Sequence, residues 1–120
     1  MSKLVITVGE TVETANQRLF ENVRRAKAGE PVEVDTRINF ADAKTMFATL
    51  NANRFGVLAF VADHHPKSIN AVATGLGRGY RRVHEDVQTL LDLGLIDRQD
   101  DGSLSVGFNP GMLSVEVAVW

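Results

Sequence analysis

A mixed α+β fold is what this 120-residue sequence predicts, and three features predict it. Lys3–Val8 alternates, with Leu4, Ile6 and Val8 on one side and Val5 and Thr7 on the other, the period of a half-buried strand. Several later stretches repeat their apolar residues every three or four positions, the period of a helix with one buried face. Pro66–Ile96 (PKSINAVATGLGRGYRRVHEDVQTLLDLGLI) holds two such stretches joined by a glycine-rich turn, and an Asp-Gly hairpin signal follows it.

Taken in order, Lys3–Val8 is the first strand. Val12–Ala28 follows as a helix, with Val12, Ala15, Leu19, Phe20, Val23 and Ala26 on one stripe. Thr11 is placed to cap its start, Gly29 to stop it, and Pro31 cannot extend it. Val32–Thr36 suits a second short strand. A second helix is expected from about Phe40, capped by Asn39, with Phe40, Ala43, Met46, Phe47 and Leu50 as its stripe. A third runs from Ala52 to His64 and buries Phe55, Leu58, Ala59, Val61 and Ala62; Gly56 weakens it by about 1 kcal/mol relative to alanine. Pro66 ends that helix and Ser68 caps the next, whose buried face is Ile69, Val72, Ala73 and Leu76. Gly75, Gly77 and Gly79 surround the turn into the following helix, which spans about Gly79 to Leu93 and stops at Gly94. Leu95–Arg98 and Ser103–Phe108 form a hairpin across Asp101-Gly102. Asn109-Pro110-Gly111 breaks the chain, and Val115, Val117 and Val119 alternate in a last strand ending at Trp120.

Helix, glycine turn, helix and hairpin in this order are the parts of a winged helix-turn-helix. The expected organisation is therefore an N-terminal strand-helix-strand arm over residues 1–38, a winged helix over 39–108, and a C-terminal strand over 109–120 that pairs with the arm. The long helix would lie across that pair. The end strands are expected either to pack within one chain or to form an arm that dimerises.

Composition narrows the rest. A hydrophobic content of 44% supports a folded core rather than disorder. The absence of cysteine removes disulfides and thiolate metal sites. Nothing resembles a signal peptide or a membrane span, so a cytoplasmic location is the expectation. The formal net charge is -2. Residues 1–50 are neutral, 51–94 are mildly basic and 95–120 are acidic, so positive charge is local to the front of one helix.

On that helix, stepping about 100° per residue from Val83 puts Val87, Leu90, Leu91 and Tyr80 on one apolar stripe. Arg81, Gln88 and Glu85 fall on the opposite side, flanked by Arg82 and His84. The first turn of a recognition helix enters the major groove most deeply. Arginine grips guanine O6 and N7 with two hydrogen bonds, so Arg81 is the first candidate for a base contact. Gln88 suits adenine. Glu85 suits a cytosine amino group, or pairs with Arg81 along the helix. Lys67, Ser68, Arg78 and Arg82 are candidates for phosphate, His84 touches phosphate or merely the surface, and Tyr80 completes the set. In the hairpin only Arg98 could reach phosphate beside Asp97, Asp100 and Asp101.

His65-Pro66-Lys67-Ser68-Ile69, Gly77-Arg78, Val83-His84-Glu85-Asp86-Val87 and Leu91-Asp92-Leu93-Gly94-Leu95-Ile96 together resemble a prokaryotic family of predicted transcriptional regulators. These are winged-helix proteins related to the MarR and ArsR groups, and some of them are antitoxin-like. The resemblance implies a DNA-binding regulator. Because a small basic footprint gains from two linked half-sites, the expectation is a homodimeric repressor on double-stranded DNA with half-sites about 10 bp apart or a multiple of that. The resemblance also implies the alternative of a small toxin as partner. Gly79-Tyr80-Arg81-Arg82 departs from the family pattern, so no base preference carries over.

No catalytic constellation stands out, and an enzyme is not expected. Gly75-Leu76-Gly77-Arg78-Gly79 lacks the preceding strand that a nucleotide-binding glycine loop needs. His64, His65 and His84 do not make a zinc site without further ligands, and no cofactor is called for.

Overall fold

The computed structural model of the chain describes residues 2–31 and 35–117. Its described elements are β1 (Lys3–Val8), α1 (Val12–Lys27), β2 (Thr36–Phe40), α2 (Ala43–Thr49), α3 (Ala52–His64), α4 (Ile69–Leu76), α5 (Tyr80–Asp92), β3 (Asp97–Arg98), β4 (Leu104–Ser105) and β5 (Asn109–Val117). The chain is α+β, as its two hydrophobic periods predict.

β1 is the middle strand of a three-stranded parallel sheet in the order β2-β1-β5. Parallel neighbours need a long crossover, which α1 supplies between β1 and β2. Leu4, Ile6 and Val8 align with Thr36, Ile38 and Phe40 on one side and with Leu113, Val115 and Val117 on the other. Aligned residues share a face of the sheet. Leu4, Ile6, Val8 and Phe40 join one buried cluster with Val57, Leu58 and Val61 of α3, Val72 of α4, and Val83, Val87 and Leu90 of α5. β1 and β2 thus share a core with the helices, whereas β5 pairs with β1 but buries none of its residues. Leu4, Val5, Ile6, Thr7 and Val8 are all buried, as a central strand requires. Buried Thr7 satisfies its hydroxyl by donating to Asn39 Oδ1 at 2.9 Å.

The terminal strands pair within the chain, and the pairing is parallel. Three expectations fail locally. Phe40 does not open a helix; it is the buried end of β2, where Ile38 and Phe40 face the core. Asn39 caps nothing, being bound to Thr7 and to the Glu10 amide, and Asp42 caps α2 instead by accepting from Thr45 N at 2.7 Å. Asn109-Pro110-Gly111 does not break the chain but begins β5. Pro110 is tolerated because β5 is an edge strand, and a register shift at Lys3/Leu4 absorbs the irregularity.

The expected strand at Val32–Thr36 falls largely on residues outside the described ones, and the observed strand starts at Thr36. Positions 118–120 of the last strand are also outside them. In α3 the buried residues are Val57, Leu58 and Val61, whereas Phe55 and Ala62 are half-buried and Ala59 is exposed. The long helix α1 buries none of its residues. Among the described residues, no helix is long and apolar enough to cross a membrane.

Candidate nucleic-acid interface

Three helices build this surface from the sequence between Asn51 and Asp92. Asn51 caps α3 by accepting from Arg54 N at 3.0 Å, and Ser68 caps α4 by accepting from Ala71 N at 3.1 Å. Each cap satisfies an otherwise unpaired amide of the first turn. α4 ends at Gly77, whose φ of +63° is the left-handed conformation that glycine adopts without strain. The turn Gly77-Arg78-Gly79 then leads directly into α5. At Gly75 a Cβ would lie 2.2 Å from Phe60 Cζ, so the missing side chain is what lets α4 approach α3.

α5 packs its Val83, Val87 and Leu90 inward, as its stripe predicts, with Leu91 half-buried. Tyr80 departs from the stripe: at the first residue of the helix it is about half exposed, and its ring meets the His84 ring at 5.8 Å between centroids. The fourth buried position is Asp86. Its carboxylate accepts from Arg54 Nε at 3.1 Å and from Arg78 Nη2 at 2.9 Å. Arg54 also donates to the Thr49 carbonyl at 2.8 Å. One carboxylate thus ties α3, the α4–α5 turn and α5 together. Arg78 is therefore turned inward, and its Nη1 is buried with no hydrogen-bond partner among the described residues.

The outward face of α5 is different. Arg81, Arg82, His84, Glu85 and Gln88 are all exposed. Among the described residues, Arg81 and Arg82 have no hydrogen bond or ion pair, and the Arg81–Glu85 pair is not formed. Gln88 donates to Asp92 Oδ1 at 3.1 Å. Lys67 and Ser68 are exposed at the start of α4. The structure thus brings Tyr80, Arg81, His84 and Glu85 together around one shallow hollow.

β3 and β4 form a short antiparallel hairpin with Arg98 opposite Leu104. Leu104 N donates to the Pro66 carbonyl at 2.8 Å, which docks the hairpin on the α3–α4 connection. Arg98 is exposed, with Asp97, Asp100 and Asp101 exposed around it. Asp101 is held below its ordinary 3.8 by the hydroxyl and amide of Ser103, with a smaller pull from the Lys67 charge. The hairpin tip thus sets negative charge near Lys67.

His64 stacks on Phe60 at 4.3 Å between centroids, and its Nδ1 hydrogen-bonds with the Phe60 carbonyl. His65 closes α3 in the left-handed region. Among the described residues no group of three or more His, Asp or Glu side chains is placed to hold a metal ion.

Sequence reasoning missed the Asp86 cluster. Its partner Arg54 is thirty-two residues away, and the only available signal was an acid falling between Val83 and Val87 on the buried side.

Residues 49–109 match the family model HVO_A0114. That span holds α3, α4, α5 and the hairpin, and leaves out β1, α1 and β2. No curated protein and no solved structure matches the chain. With more than half of its length matched, the chain belongs to the HVO_A0114 family.

Proposed function

We propose that this protein is a sequence-specific DNA-binding regulator, a repressor acting as a dimer, in which α3–α5 and the β3–β4 hairpin work as a winged helix-turn-helix. One observation carries the proposal: α5 buries Val83, Val87 and Leu90 while Arg81 and Arg82, at its start, face solvent with no partner among the described residues. Arg54 and Arg78, in contrast, are committed to Asp86. A guanidinium left unpaired at the start of such a helix is free to take guanine or phosphate.

Arg81 is assigned the base contact and Gln88 and Glu85 the secondary ones. Arg82, Lys67, Ser68, His84 and Tyr80 are assigned to the backbone. Arg78 leaves the contact set, because reaching DNA would strip Asp86 of a charge partner. Arg98 is the one cation the hairpin offers. The local basic footprint on a chain of net charge -2 predicts binding with a modest salt slope.

The test is fluorescence anisotropy with duplex DNA from upstream of the protein's own gene, titrated at low and moderate salt. Tight binding that weakens with salt supports the assignment; no binding at low salt removes it. The acidic hairpin favours a second reading, in which Asp97, Asp100 and Asp101 hold a small basic protein such as a toxin. Copurification of a basic partner would support that reading.

A further inference from the structure

The helix α1 is amphipathic and faces the wrong way for a monomer. Val12, Leu19, Phe20 and Val23 lie on one stripe, and they are 75%, 60%, 74% and 43% exposed. The side turned inward is polar: Arg18 and Asn22, one turn apart, are its only half-buried residues. Arg18 pairs with Glu10 and lines a hollow with Thr7 and Glu116 at the ends of β1 and β5. With this polar side turned inward, the apolar stripe is left exposed. Contiguous exposed apolar surface of this kind marks a contact site.

We infer that the stripe is covered by α1 of a second copy of this chain, packed antiparallel about a two-fold axis beside Phe20. The helix carries the charge pattern for this occupant. Its first turn is acidic at Glu13 and its last turn basic at Arg24, Arg25 and Lys27. An antiparallel pair sets each acidic end beside a basic end, and opposes the two helix dipoles. Glu13 and Lys27 are equidistant in sequence from Phe20 and border the same edge of the stripe, at about 100° per residue. Each Glu13 therefore meets the partner's Lys27, twice per dimer, as a two-fold contact requires. Among the described residues neither has an ion pair within its own chain, whereas Arg24 and Arg25 are both taken by Glu21. The 16-residue helix offers a seam about 24 Å long. The dimer belongs to the function proposed above; the surface and its geometry are new. Its test uses no DNA, so either idea can fail alone.

The test is the solution mass of the full chain at micromolar concentration, by light scattering and sedimentation. The expected mass is twice the 13.1 kDa chain. Leu19→Asp/Phe20→Asp should fall to the single-chain mass with an unchanged helical spectrum, because neither residue is in the core. Glu13→Lys and Lys27→Glu should each weaken the dimer by about tenfold, since each turns two attractions into repulsions. Mixing these two variants should restore it, because the mixed dimer regains opposite charges at both places. A monomeric wild type, or a dimer that survives Leu19→Asp/Phe20→Asp, would overturn the proposal. Failure of the mixture to recover would overturn the antiparallel arrangement.

Discussion

Asp86→Ala is the substitution that bears most on how α5 is held. The carboxylate is buried, and it receives charge-assisted hydrogen bonds from Arg54 at 3.1 Å and Arg78 at 2.9 Å. Bonds of this kind contribute about 1.5–3 kcal/mol each, which bounds the loss at roughly twice that. Two facts reduce it. The Arg54 and Arg78 side chains keep 19% and 24% of their surface in water, so they recover part of their hydration. Arg54 also keeps its bond to the Thr49 carbonyl. Two guanidinium groups left facing each other without a counter-charge act in the opposite direction. The expected net cost is about 3 kcal/mol, at the low end for breaking a buried ion pair. Asp86→Asn keeps an acceptor oxygen but not the charge, and should cost about 2 kcal/mol on the same scale. Urea denaturation followed by circular dichroism reads both as a lower midpoint at unchanged slope. Arg81→Ala is the control, expected within about 0.5 kcal/mol of wild type because its side chain faces solvent. A loss below about 1 kcal/mol for Asp86→Ala would show the cluster to be an ordinary surface ion pair and would refute the claim that it ties α3, the α4–α5 turn and α5 together.

Other predictions concern the core and the acid limb. Leu90→Ala, at a fully buried position shared by the sheet-helix cluster, should cost about 3 kcal/mol in the same urea assay. Asp42 lies below its ordinary 3.8 because the Thr45 amide donates to it, and Glu21 is lowered to about 2, chiefly by Arg24. Both folded values lie below the unfolded ones of 3.8 and 4.5, so their stabilisation is fully present above about pH 5 and is lost as the pH falls toward 2. The urea midpoint should decline over that window. Asp42→Asn, which caps without titrating, should make the decline shallower; an identical decline would remove Asp42 as a contributor.

The legible parts of the fold were those with a strong local signal. Thr11 and Ser68 are caps at the starts of periodic stretches, and α1, α3, α4 and α5 run almost where the period places them; the Asn51 cap of α3 was not read from the sequence. Asp101-Gly102 marked the hairpin turn, although its two strands are only two residues each. Phe40 was ambiguous because it fits the alternation of Thr36–Phe40 as well as the stripe of the next helix, and two capping residues, Asn39 and Asp42, compete there. Tertiary contact decided it: Asn39 is drawn to Thr7 across the sheet. At the candidate interface, the exposed face of α5 follows from the helical period alone. The difference between Arg78 and Arg81 does not, since it depends on a carboxylate eight residues from Arg78 and on Arg54 in another helix. The outward stripe of α1 is the reverse case, where the period is right but its apolar residues are exposed and no described residue covers them.

The most direct test of the proposed function compares wild type with Arg81→Ala/Arg82→Ala on duplex DNA from the upstream region and on random duplex of equal length, at two salt concentrations. The expected result is that the double variant, folded as well as wild type, loses at least tenfold in affinity for the upstream duplex and far less for the random one, with a smaller salt slope. Equal affinity of variant and wild type for the upstream duplex would contradict the assignment of α5 as the helix that reads DNA.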